Sequence, residues 1–85
     1  GILVDIYPTI FMLWPVIYTI SKDLGYAILN CYYDEKGQLD TEIYYDENGR
    51  IVDGKEGYAK IKYIYDSFGN IEKVLYQTQA DLMQD

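Results

Sequence analysis

From residue 25 onward the chain alternates. In 58–65, Ala59, Ile61, Tyr63 and Tyr65 fall on one side and Tyr58, Lys60, Lys62 and Ile64 on the other. In 26–33, Ala27, Leu29, Cys31 and Tyr33 share a side; in 39–45, Leu39, Thr41, Ile43 and Tyr45 alternate with Asp40, Glu42 and Tyr44. A period of two over such runs is the signature of strands. The pattern predicts strands near 26–33, 39–45, 58–65 and 71–77. Between them stands one phrase three times: Tyr33-Asp34-x-x-Gly37, Tyr45-Asp46-x-x-Gly49 and Tyr65-Asp66-x-x-Gly69, each followed by a polar and then an aliphatic residue. The Asp caps a turn by accepting from backbone N–H groups two residues on, and the Gly takes the positive φ that ends it. Turns are therefore expected at 34–38, 46–50 and 66–70, with 52–57 as a linker.

The turn aspartates Asp34, Asp46 and Asp66 are separated by a short step and then a longer one, so a larger unit emerges whose period is the distance from Asp34 to Asp66. Gly25-Tyr26-Ala27 recurs at that 32-residue offset as Gly57-Tyr58-Ala59, and the pairs Leu39/Ile71 and Tyr44/Tyr76 share it. The predicted architecture is mainly β: tandem antiparallel β-hairpin repeats of this period behind a hydrophobic N-terminal segment. Its parts are an anchor or capping segment at 1–21, a first unit at 22–56, and a truncated second unit with a polar tail at 57–85. Two hairpins alone bury little and leave open edges, so such units need neighbours, a cap, or another copy.

The lead-in differs sharply from the rest. Residues 1–20 carry one charge, Asp5, amid apolar and aromatic residues. As a helix, residues 2–20 would be roughly 28 Å long, about the thickness of a bilayer core. Trp14 and Tyr18 followed by Lys22 would suit a membrane interface. Pro8, Pro15 and the many β-branched residues suit a buried extended segment instead. Both expectations stand: a membrane anchor, or an apolar cap on the first unit.

Composition narrows the function classes. The chain has 14 acidic and 7 basic residues, a net charge of −7 and no His. That balance argues against nucleic acid, which needs a basic surface. The lone Cys31 cannot make an internal disulfide, and without His it cannot build a zinc site. It alternates with inward residues and reads as a small buried hydrophobe. Asp34, Asp46 and Asp66 read as turn caps rather than calcium ligands, and Asp34/Glu35 and Asp46/Glu47 as solvated turn tips rather than an acid–base pair. No metal, cofactor or reaction is expected. Nine of the eleven tyrosines lie between Tyr26 and Tyr76. Tyr32, Tyr44, Tyr58 and Tyr76 are expected on the more polar face, as a stacking surface for ligands or as cross-strand packing.

The stretch Tyr63-Ile64-Tyr65-Asp66-Ser67-Phe68-Gly69-Asn70-Ile71 resembles the YD (RHS-type) repeats of bacterial surface and secreted proteins. The full unit, opening on Gly-Tyr-Ala, looks like tyrosine-rich surface repeats of Gram-positive bacteria. The resemblance covers about residues 25–77 and implies a non-enzymatic structural or interaction module at the bacterial cell surface. The step from Asp46 to Asp66 is also similar to Gram-positive cell-wall-binding repeats, which grip glycan or choline with aromatic rings. Their recurrent Trp is absent, since Trp14 lies outside the repeats. Expected partners are surface proteins or glycans, further copies joined through sheet edges, and a membrane through residues 2–20.

Overall fold

The computed structural model describes residues 19–83; the lead-in expected to anchor or cap lies almost wholly outside that range. The described chain is a five-stranded antiparallel meander in the order β1-β2-β3-β4-β5. Its strands are β1 (Thr19–Asp23), β2 (Ile28–Tyr33), β3 (Leu39–Tyr45), β4 (Lys60–Tyr65) and β5 (Ile71–Gln77). A short helix, α1 (Gln79–Leu82), follows β5. β3 and β5 have the expected bounds, while β2 and β4 start two residues later than the alternation predicted. β1 was not anticipated, and it straddles the compositional boundary at 21. Among the described residues no helix is long and apolar enough to cross a membrane.

The three Tyr-Asp-x-x-Gly phrases form the same turn. Asp34, Asp46 and Asp66 each accept two backbone N–H groups on Oδ1, from Lys36 and Gln38, Asn48 and Arg50, and Phe68 and Asn70. The N–H of Gly37, Gly49 and Gly69 donates back to the carbonyl of the aspartate three residues earlier. All three glycines sit at φ between 81° and 87°, where a Cβ would strain the backbone. The first and third turns close the β2–β3 and β4–β5 hairpins. The middle one closes only a short return: Ile51 bridges to Tyr45, and Val52 donates to the Tyr44 carbonyl. The chain then turns again, with Gly54 donating to the Tyr58 carbonyl, and Ala59 accepts from the Tyr44 N–H as β4 begins. Gly54 is needed for space, since a Cβ there would lie 2.8 Å from the Tyr44 ring.

Register decides which strand faces go together. Leu29 pairs with Tyr44 and Cys31 with Glu42, and Glu42 pairs in turn with Ile61. The apolar side of β2 and β4 therefore continues through the polar-looking side of β3. Ala27, Leu29, Cys31, Ala59 and Ile61 are buried on this face. The opposite face carries Thr41 between Tyr32 and Lys62. The β2–β3 and β4–β5 hairpins each have a bulge beside the turn: Asp40 is the extra residue between the Thr41 and Leu39 pairings, and Glu72 the extra one between Lys73 and Ile71.

The expected polar tail carries the short helix α1. Thr78 caps α1, accepting from the Asp81 N–H while Asp81 accepts from the Thr78 N–H. Gln79 donates its backbone N–H to Asp53 and its side-chain amide to the Ile51 carbonyl, tying α1 to the 46–57 excursion.

Candidate functional site

Three of the four expected tyrosines come together, on the face opposite to the one predicted. Tyr44 stands across from Leu29 and Tyr76 across from Ile61, so both lie on the buried face. The Tyr58 ring joins them, 6.4 Å from Tyr44 and 4.7 Å from Tyr76, tilted to both. Alternation gives each strand two sides but does not say which sides of neighbouring strands share a face; the β2–β3 register does, by pairing odd residues with even ones. Tyr32 lies on the other face, its hydroxyl accepting from the Asn30 side-chain amide and lying 3.0 Å from that of Tyr45. That contact and burial push the Tyr45 hydroxyl upward, burial contributing most.

Tyr44 and Tyr58 are half-buried, while Tyr76 at the end of the row and Tyr26, whose hydroxyl acts on those of Tyr44 and Tyr58, are 58% and 54% exposed. Desolvation raises the hydroxyls of Tyr44 and Tyr58, helped at Tyr44 by Tyr26 and at Tyr58 by Tyr76 and Glu56. The row offers apolar ring area with neutral hydroxyls, the chemistry of a surface that stacks on sugars or on other aromatic side chains.

Beside the row, Glu42 sits in the buried face as a shared acceptor. Its Oε1 takes the Tyr63 hydroxyl and its Oε2 the Cys31 thiol, the latter at 3.6 Å. Burial first, then Glu42, raises the pKa of both donors. Cys31 is therefore held as a thiol, the opposite of an activated nucleophile. This acceptor was missed in the sequence because Glu42 alternates with polar neighbours and reads as exposed.

The turn aspartates do not converge. Each is spent on its own turn, and the described residues contain no cluster of three metal-ligating side chains. The Arg50 N–H, with that of Asn48, holds the Asp46 carboxyl below the usual carboxylate range. Between the first and third turns runs an open groove of about 670 Å³, lined among others by Asp34, Lys36, Asp40, Lys62, Tyr65 and Phe68. Gln38 bridges it, donating to the Gly69 carbonyl. Lys62 pairs with Asp40 at 2.7 Å. Burial alone would raise the Asp40 carboxyl, but the Lys62 and Thr41 donors bring it below its usual value. Of the charges that line the groove, Lys62 and Asp40 hold each other, and Asp34 and Asp66 are occupied by the backbone of their own turns.

No family model, curated protein or solved structure matches the chain.

Proposed function

We propose that the chain is a non-enzymatic structural or interaction module of a bacterial cell-surface protein, built from tandem hairpin units that repeat at the spacing of Asp34 and Asp66. What supports the reading is the turn used three times with the same hydrogen bonds, together with bulges at Asp40 and Glu72, which hold the same place in successive units. Such units extend a sheet by addition and need no cleft. Stacked units of this kind have stabilities that depend on their neighbours. Inserting a further copy of 25–56 before residue 57 is the test. The lengthened chain should unfold in one transition with a higher denaturant midpoint and a steeper m-value. A separate transition for the added unit would sink the repeat reading.

The Tyr44–Tyr58–Tyr76 row favours a second reading, a module that binds cell-wall glycan through its rings. Titrating the protein with soluble peptidoglycan fragments should then quench tyrosine fluorescence saturably, and Tyr76→Ala should abolish the response. An unchanged spectrum removes this reading and leaves the first.

A further inference from the structure

β1 and β5 are the outer strands of the sheet, and in a five-stranded meander they run in the same direction. All five residues of β1 are exposed. No described strand pairs with the outer edge of β5, and along it Ile71, Leu75 and Tyr76 are 55%, 44% and 58% exposed. An open apolar edge is a template for a further strand.

The pairing already inside the sheet identifies that strand. At the β3–β4 boundary Thr41, Glu42 and Ile43 oppose Lys62, Ile61 and Lys60. Moved by one repeat unit, β3 positions become Lys73, Val74 and Leu75 of β5, and β4 positions become Asn30, Leu29 and Ile28 of β2. In each copy that edge of β2 is held by β1, with Ser21, Lys22 and Asp23 opposite Asn30, Leu29 and Ile28. β5 in this place would set Val74 and Leu75 against Leu29 and Ile28, where β1 sets Lys22 and Asp23. Because β1 and β5 share a direction, the replacement keeps the pairing antiparallel and the buried faces continuous. Antiparallel addition of β5 to the outer edge of β1 would instead turn the second copy's faces over.

The tyrosine row points the same way. It ends on exposed Tyr76 at one side of the sheet. Tyr26 precedes β2 as Tyr58 precedes β4, and it too is exposed. A second copy joined at β5 carries the row on from Tyr76 to its own Tyr26.

We infer that β5 of one copy displaces β1 from β2 of a second copy, linking copies of this chain edge to edge. The inference rests on the repeat reading above, because the correspondence between units sets its register. The contact is head-to-tail, so assembly continues past the dimer.

The test is to refold the full chain from denaturant at rising protein concentration and follow its size by sedimentation. A ladder of oligomers that grows with concentration is expected. Ile20→Cys places a second thiol directly across from Cys31, so oxidation fastens β1 to β2. The oxidised variant should stay monomeric and regain the ladder on reduction. Leu75→Lys, which leaves β1 untouched, should be monomeric throughout. A wild-type chain that is monomeric at every concentration overturns the inference. So does assembly that persists in the oxidised variant or in Leu75→Lys, including one that stops at a dimer. The unit-insertion experiment does not depend on releasing β1. Cooperative insertion with no assembly therefore removes the exchange alone, and failed insertion removes the repeat itself.

Discussion

Tyr63 and Cys31 donate hydrogen bonds to one carboxylate, and that sharing sets how the sheet meets alkali. The Tyr63 hydroxyl is held well above its ordinary value of 10.0, chiefly by burial and then by Glu42. The unfolded chain ionises this group first, so its contribution is whole below about pH 10 and is lost as pH rises toward the folded value. Unfolding in alkali should therefore coincide with the tyrosinate absorbance change, rather than follow it. Tyr63→Phe removes a hydrogen bond to a charged acceptor and should cost about 1.5–3 kcal/mol near neutrality. It should also flatten the alkaline fall, as read by urea midpoints across the pH range. A variant with wild-type stability and slope would show that Glu42 does not need this donor. At the acid end the sign reverses. The lowered carboxyls of Asp40 and Asp46 stabilise the fold above about pH 4 and lose that contribution as pH falls through their folded values.

Two strand pairs with matching registers are joined very differently. Asp23 and Ile28 are paired residues separated by one tight turn, in which Leu24 donates to the Ala27 carbonyl. Ile43 and Lys60 are paired likewise but are separated by the whole 46–57 excursion. The tight turn should therefore serve both. Replacing residues 44–59 with Leu24-Gly25-Tyr26-Ala27 is expected to preserve amide protection at Glu42 and Ile61, the opposed pair whose backbone groups face each other across β3 and β4, under hydrogen exchange. The denaturant midpoint should fall, because Tyr44, Tyr58 and the buried Ala59 go with the excursion and α1 loses its tie to Ile51 and Asp53. Loss of protection at those two amides would mean that the excursion specifies the register instead of decorating it.

At the scale of the molecule, what could be read in the sequence was local. The turns at Asp34, Asp46 and Asp66 and the bounds of β3 and β5 follow from side-chain chemistry within a few residues. β1 escaped because Ser21, Lys22 and Asp23 show no apolar alternation; its place is decided by the edge of β2 that it covers. The tyrosine row was assigned to the wrong face because facing depends on a register between strands, which no single strand encodes. Glu42 was hidden for the same reason, since only pairing reveals that its neighbours are Cys31 and Ile61. The meander order has a kinetic consequence as well. Every strand pairs with its neighbours in sequence, so most ladders close over a single turn and form early. The exception is β3 with β4, whose closure must span the excursion from Asp46 to Ala59. As the chain leaves the ribosome or a translocation pore, the β1–β2–β3 part can zip up at once and wait. The β4–β5 hairpin then forms on its own and docks last, so the slow step of folding lies at the boundary between the two halves.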